Sequence, residues 1–323
     1  MNITVQNSSR TVFQLAPTPI ATPGAEGSVH RIIAPAYHSK YCAKIFHLPK
    51  RTSTKRAKVE FMIKNKPASL TGHNHVLCWP DEMLFDTSGQ FVGFLMPLAF
   101  DGSEKLYELT ILKGSLKNNF SWAKFDRATT LGFNNRYKIC CNIASAIHTI
   151  HSSNKYTIVD YKPQNILITD QGKISITDID SFQIASSGQV IHFAEVVTPE
   201  YAPIESKTLN PTEVFIPNTW DRFSLAVSFY EILFGIHPYA ATGSGQYSNM
   251  GTIGEKIKSG LFVHGAQKTS LSFIPPIHSG FSSLPPQLKS LFIRAFENGN
   301  KNPEERPSAY EWGAALYLIV SSH

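Results

Sequence analysis

The segment Ile158-Val159-Asp160-Tyr161-Lys162-Pro163-Gln164-Asn165 narrows the choice of folds more than any other. It sets an aspartate, a lysine and an asparagine in a polar loop just before a run that reads as a strand. Residues 166–169 and 173–177 are two such runs, joined by Asp170-Gln171-Gly172, a hairpin signal. Asp178 ends the second run. The hairpin would return it beside Asn165, so that two hard oxygen ligands meet at one metal position. Asp160 would accept or orient the proton of a hydroxyl. Lys162 would stabilise charge on a phosphoryl group in flight. Asp170 reads as a turn residue.

Two kinds of pattern flank this loop. The first hundred or so residues read as strands around one helix. Residues 29–33 and Tyr41–Phe46 are short β-rich runs, Ser53–Lys64 a charged helix, and 83–85 with 91–96 a strand pair around a turn. After that, residues 137–151, 223–234, 284–297 and 309–321 carry apolar side chains at helical spacing. A strand-rich small part is therefore expected at 1–98 and a larger helical part at 99–323, with a cleft near 97–101.

A phosphate cradle is expected at Thr22-Pro23-Gly24-Ala25-Glu26-Gly27-Ser28-Val29, because Gly24 and Gly27 let the backbone approach closely. Lys44 lies inside the apolar run Tyr41-Cys42-Ala43-Lys44-Ile45. An ammonium there needs a partner, and Glu60 on the expected helix is the candidate. His73, His75 and Cys78 lack a fourth ligand and read as loop or strand residues.

Composition limits the class. Charged residues make up 17% and apolar residues 42% of the 323, enough for a substantial core. No apolar run is long enough to span a bilayer, and residues 1–10 are polar, without a signal-peptide core. The four cysteines, Cys42, Cys78, Cys140 and Cys141, form no CxxC pair and suit a reducing cytoplasm. Part of the net charge of +6 lies between Lys50 and Lys66. That stretch reads as a solvated helix face and its flanks. A patch for DNA or an acidic protein is the sharper alternative, but no nucleic-acid recognition signature accompanies it.

Taken together, these motifs resemble a eukaryotic-type (Hanks-type) protein kinase over roughly residues 15–320. The resemblance implies an α+β, bilobal fold. It has a small antiparallel β-sheet lobe with one helix, a larger mainly helical lobe, and ATP between them. Lys44 matches the family's strand lysine, with Glu60 as its helix partner. Asp160, Lys162 and Asn165 match the catalytic loop, and Asp178 the metal-binding aspartate that opens an activation segment at 178–205. Thr198, in Val197-Thr198-Pro199-Glu200-Tyr201, and Glu205 match the end of that segment. Asp221 matches the helix that supports the catalytic loop. Arg306 matches a late arginine that would pair with Glu205. The adenine pocket would take Val29 and Cys42 as roof, Leu167 as floor and Met96 as gatekeeper, with the backbones of Pro97 and Ala99 at the adenine edge. Thr22, Gly24 and Gly27 would cover the phosphates. A thiol reagent at Cys42 would then be blocked by ATP.

The implied function is ATP- and Mg-dependent (or Mn-dependent) transfer of a γ-phosphoryl group to Ser or Thr hydroxyls of a protein substrate, autophosphorylation included. Lys162 and Thr198 carry the Ser/Thr reading. The alternative is a nucleotide-binding pseudokinase acting as a scaffold. Gly93-Phe94-Leu95-Met96-Pro97, Thr177-Asp178-Ile179-Asp180-Ser181-Phe182 and the closing RPSAYEW are similar to bacterial kinases of two kinds. One kind belongs to tellurium-resistance-associated kinase–phosphatase triads, the other to helix-hairpin-helix DNA-binding proteins. A cognate phosphatase and a regulated binding protein are thus expected as partners, with no membrane and no nucleic acid. Since the chain ends just past the resemblance, no hairpin DNA module is expected.

Three departures stand out. Ile158-Val159 replaces the family's His-Arg pair, which removes the receptor for an activation-segment phosphate. Ile179-Asp180 replaces Phe-Gly, and Asp180 adds a negative charge near the metal position, reading as a turn residue or, as the alternative, an extra contact behind the metal site. The first glycine of the cradle is Thr22. The stretch 206–220 is longer than a minimal kinase needs and reads as a docking surface or a plain loop.

Overall fold

Alternating apolar residues start the chain as strands: Val5 and Phe13 face inward, their neighbours outward. The computed structural model describes residues 2–112 and 114–322. Strands β1 (Ile3–Asn7), β2 (Val12–Leu15), β3 (Gly27–Ala34), β4 (Tyr41–Phe46), β6 (Glu82–Phe85) and β7 (Phe91–Pro97) pair antiparallel in the order β1-β2-β3-β4-β7-β6. The sheet closes because β6 returns to β1, with Gln6 opposite Phe85. In the sequence the first run that reads as a strand is 29–33. The barrel instead recruits the polar N-terminus, whose inward residues Val5, Phe13 and Leu15 join Ala43, Ile45, Leu84, Val92 and Leu95 in one core. Among the described residues, closure leaves this barrel without the two free edges of an open sheet.

Strand β4 is gripped from both sides. A Cβ at Gly27 would overlap the carbonyl of Ile45, and one at Gly93 the carbonyl of Lys44. Gly27 thus serves strand contact first, and β3 begins at Gly27 itself. Helix α1 (Ser53–Lys64) starts at Thr52, whose side chain accepts from the Lys55 N–H. Its buried positions are Lys55, Lys58, Val59 and Met62. Val59 packs with Phe46, Phe94, Cys42, Cys78 and Met96 in a second core.

The chain divides into two compact units, Met1–Phe100 with Ser175–Asp180, and Asp101–Ile174 with Ser181–His323. The division expected at 98/99 omits the exchanged piece. Residues 175–180 belong with the first unit because Cys78 N–H donates to the Ile176 carbonyl at 2.9 Å and Phe100 N–H to the Ser175 hydroxyl at 3.1 Å. Short strands β5 (His75–Leu77) and β11 (Ile174–Ile176) lie beside that exchange.

The second unit is mainly helical. It holds β8 (Glu104–Lys105), α2 (Tyr107–Thr110), α3 (Thr130–His151), β9 (Tyr156–Thr157), β10 (Ile166–Ile168), β12 (Gln183–Ser186), β13 (Gln189–His192) and α4 (Thr219–Phe234). Then come α5 (Ile253–Lys258), α6 (Pro286–Ile293) and a last helix, Ala309–Ser321. Helix α4 is buried on nearly every face, as its apolar sequence requires. Trp312 of the last helix meets Phe229 of α4 edge-on, with ring centroids 5.3 Å apart. Residues 206–220 are tied down rather than loose. Gln183 accepts from Ile216 N–H at 2.7 Å and donates to the Val214 carbonyl at 2.9 Å, while Thr157 donates to the Ile216 carbonyl at 2.8 Å. Among the described residues, no helix is long and apolar enough to cross a membrane.

Two titratable side chains staple this unit, Arg306 as a charge and Glu231 as a carboxyl that burial holds protonated near neutrality. Arg306, fully buried, forks onto Glu205 at 2.7 and 2.6 Å, and its guanidinium lies 5.5 Å from the Phe223 ring centroid. Glu231 of α4 is half-buried, with the Tyr201 hydroxyl donating to it at 2.9 Å. Burial pushes its carboxyl up to about 8, against the opposing pull of that hydroxyl.

Removing Arg306 would strand the Glu205 charge, so Arg306→Leu should cost about 3 kcal/mol or more in urea unfolding, whereas a loss under ~1 kcal/mol would make the pair superficial. For Glu231 the folded pKa lies above the unfolded value. The folded state therefore holds an extra proton between about pH 4.5 and 8. Stability should fall as pH rises through that window and level off above it. Glu231→Gln should abolish this component, gaining on wild type by an amount on the order of a few kcal/mol between pH 5 and pH 8.5. Parallel unfolding curves for the two proteins across those pH values would contradict it.

Candidate functional site

Each unit carries its own group of charged side chains. In the first, the Lys44 ammonium is buried on β4, 2.6 Å from Asp180 Oδ1, 3.4 Å from Asp178 Oδ1 and 3.9 Å from Glu26 Oε2. Burial opposes its charge, but Asp180, then Asp178 and Glu26, reverse that and raise its pKa above the ordinary lysine value. Burial likewise opposes ionisation of Asp180, yet Lys44 and then Lys55 outweigh it and hold the carboxyl down to about 2. Glu26 moves the other way: burial and the Asp180 charge raise its pKa. Lys55 of α1 donates to Glu26 Oε1 at 2.9 Å. The Lys44 and Lys55 ammoniums each lie 5.7 Å from the Phe46 ring centroid.

The expected Lys44–Glu60 pair is absent. Glu60 lies one position off the Lys55–Val59–Met62 face and pairs instead with Lys64, 2.6 Å away at i,i+4, on the solvent side. Asp180 is more than a turn residue. It sits in a 3₁₀ turn, Ile179–Ser181, is 1% exposed, and supplies the closest carboxylate to Lys44. Its neighbour Asp178 has φ 54°, a left-handed conformation that aspartate tolerates, and its carboxylate is 58% exposed.

The basic stretch between Lys50 and Lys66 is spent internally. Lys66 pairs with Asp81, Arg51 donates to the Phe46 carbonyl at 2.9 Å, and Arg56 lies 5.6 Å from the Phe85 ring centroid. Beside Lys44, Cys42 and Met96 are buried in the second core, with Val29 and Ala99 packed on it. Pro97 ends β7, and the Cys42 thiol points at the Met96 carbonyl, 3.8 Å away. Cys42 is 2% exposed and its thiol is pushed up to about 12 by burial. Both features work against the expected alkylation at Cys42, because a buried thiol is reached and ionised poorly. In the loop before β3, Gly24 N–H donates to the Gly27 carbonyl at 3.0 Å, and His47 N–H to Glu26 at 2.9 Å. Thr22 is exposed at the start of this loop.

In the second unit, Asp160, Lys162 and Thr198 form a closed triangle. The Lys162 ammonium donates to Asp160 Oδ2 at 2.6 Å and to Thr198 Oγ1 at 2.9 Å, and the Thr198 hydroxyl donates to Asp160 Oδ1 at 2.6 Å. Asn165, in the 3₁₀ turn Pro163–Asn165, donates to the Asp160 carbonyl at 3.3 Å. Leu167 follows on β10, half-buried. Below the triangle, Asp221 of α4 accepts from Ile158 N–H at 2.7 Å and Val159 N–H at 2.9 Å, with His151 Nε2 3.0 Å away.

Asp221 fixes a strained backbone. Val159 has φ 63°, an uncommon conformation for a β-branched residue, costing about 1–3 kcal/mol. Trp220 Nε1 also donates to the Val159 carbonyl at 3.1 Å. The Val159 side chain packs with Ala194, Ala202, Ile216, Trp220, Val197 and Leu209. Where the family pattern has an arginine, this chain thus has an apolar clasp on residues 194–202.

The positions of Glu26, Lys55 and Asp180 in the charge network escaped the sequence reading. One signal was available: Glu60 does not share the helical stripe of Val59 and Met62, whereas Lys55 does.

Comparison with known proteins agrees with this layout. The family model for the protein kinase domain matches residues 23–318. Protein kinase YegI of Escherichia coli O157:H7 is 28% identical over 303 residues, 92% of this chain and 43% of its own length. The chain therefore spans less than half of that relative. Serine/threonine-protein kinase Sgk1 of Xenopus tropicalis is 33% identical over 111 residues, covering 33% of this chain and 25% of Sgk1. Among solved structures, the ROP18 kinase domain in complex with AMP-PNP and sucrose shares the fold at a TM-score of 0.63 and 14% identity, covering all of this chain and 84% of its own. With a family match across most of its length and the α+β, two-unit fold that goes with it, the chain belongs to the protein kinase domain family.

Proposed function

We propose that this kinase domain transfers the γ-phosphoryl group of MgATP to serine and threonine hydroxyls on protein. The observation that carries the reading is the Asp160–Lys162–Thr198 triangle. Asp160 presents a carboxylate for an incoming hydroxyl, and Lys162 holds it in place while offering positive charge to the transferring group. Thr198 ties the segment that would carry the acceptor to the same carboxylate. A flexible Ser or Thr side chain suits this arrangement.

The donor set fits a hard cation. Asp178 offers an exposed carboxylate and Asn165 an amide oxygen, the ligand types Mg²⁺ takes alongside phosphate and water. Among the described residues, no group of three or more His, Cys, Asp or Glu could hold a metal. When bound, Mg²⁺ would neutralise charge on the phosphates. Lys44 would hold phosphate oxygens, and Val29, Cys42, Met96, Pro97, Ala99 and Leu167 would supply the adenine surroundings. Thr22, Gly24 and Gly27 would cover the phosphates.

The Val159 clasp supports a second element of the reading: the segment 178–205 keeps its place without a phosphate. A pseudokinase scaffold is the competing reading, and the complete set of Lys44, Asp160, Asn165 and Asp178 speaks against it. Cytoplasmic action, autophosphorylation and a partner phosphatase belong to the proposal as well.

With radiolabelled ATP and a generic basic protein, wild type should label the acceptor on Ser or Thr. Asp160→Ala should lose about 100-fold or more of that rate. ATP binding without any transfer by wild type would favour the scaffold, and transfer that persists in Asp160→Ala would remove Asp160 from the chemistry. Pretreatment of wild type with a phosphatase should leave its rate within about twofold, and a larger drop would show that a phosphate does switch it.

A further inference from the structure

The counter-charge of Lys44 comes from an unexpected place. Glu60 faces solvent and pairs with Lys64. The inward face of α1 presents Lys55 and Lys58. An ammonium buried as Lys44 is cannot be left without a carboxylate. Asp180 meets that need at 2.6 Å, and it is itself only 1% exposed.

We propose that Asp180 is the positioning residue for Lys44, and that α1 is tied to the loop before β3 through an adjoining, charge-reversed pair of the same network, Lys55–Glu26. The inference rests on the reading that Lys44 holds nucleotide phosphates. Asp180 touches neither nucleotide nor acceptor; it acts through Lys44. The geometry gives it a second effect. Asp180 lies two residues after Asp178, in the 3₁₀ turn that follows it, and Lys44 contacts both. One ammonium thereby fixes the phosphate-holding lysine and the backbone that carries the exposed Asp178 carboxylate. Meanwhile Lys55 joins α1 to Glu26, whose carbonyl is in turn held by His47 N–H. The Phe46 ring lies at the same distance from both ammoniums and keeps the two pairs adjacent. The lysine's placement then depends on the segment after β11 and not on a carboxylate from the helix.

The test uses the full chain with Asp180→Asn, Asp180→Glu and Glu60→Gln. Three quantities are read for each: the dissociation constant of a fluorescent ATP analogue with Mg²⁺, the phosphotransfer kcat and KM for ATP, and the melting temperature. Asp180→Asn should weaken nucleotide binding about tenfold and lower kcat/KM about 100-fold, with part of the loss recovered in Asp180→Glu. Glu60→Gln should stay within about twofold of wild type in binding and rate. Should Asp180→Asn fail to fold, Asp180→Ser is read in its place: binding weakened several-fold, with recovery in Asp180→Glu, supports the proposal, and a folded Ser variant indistinguishable from wild type overturns it. A large loss in Glu60→Gln with wild-type behaviour in Asp180→Asn would also overturn it and return the role to the helix glutamate. If wild type transfers no phosphate at all, the proposed function fails, yet the binding constants still judge Asp180. If wild type transfers phosphate and Asp180→Asn binds and turns over as wild type does, only the positioning role fails.

Discussion

A charged lysine buried on the outer face of a β-barrel strand is the constraint on which the first unit depends. Desolvating an ammonium costs several kcal/mol unless a carboxylate stands beside it. Lys44 is on β4, the strand that Gly27 and Gly93 allow its neighbours to approach most closely. Its partner arrives from far along the sequence, in residues 175–180, which fold with the barrel. The same pair that neutralises Lys44 therefore fastens a remote segment to the first unit and orients Asp178 at its edge.

The second unit meets a different constraint with similar means. Its polar loop needs a left-handed turn at Val159, a residue poorly suited to it. Asp221 accepts from two successive backbone N–H groups there, and Trp220 donates to the carbonyl between them and the triangle. Hydrogen bonds to a buried carboxylate are strong enough to offset strain of a few kcal/mol. The apolar Val159 side chain then packs against residues 194–202. Strain, anchor and packing together set the height at which Asp160 meets Lys162 and Thr198.

Much of the secondary structure could be read from the sequence because its signals are local. The α1 bounds, strand β4 and the last helix stand where the sequence pattern put them, and the structure shows Thr52 and Ser308 capping the two helices. The expected pairing of Arg306 with Glu205 and the grouping of Asp160, Lys162 and Thr198 followed from motif order, and the structure brings those side chains together. The barrel closure was harder to see. β1 and β2 are four or five residues long, and their alternation is masked by polar outward residues. Lys44's partner was harder still. Which carboxylate reaches a buried ammonium is decided by helix facing and by the path of residues 178–181, and motif matching supplies neither. The side-chain direction of Glu60, one step off the buried stripe, outweighed its match to the family pattern.

The central claim is that Lys44 takes its charge partner from Asp180 while it serves the nucleotide. A crystal structure of the full chain with a non-hydrolysable ATP analogue and Mg²⁺ tests it most directly. The account predicts the Lys44 ammonium within hydrogen-bonding distance of both Asp180 and a phosphate oxygen, with Glu60 still on Lys64. Glu60 turned inward onto Lys44, with Asp180 released, would contradict it.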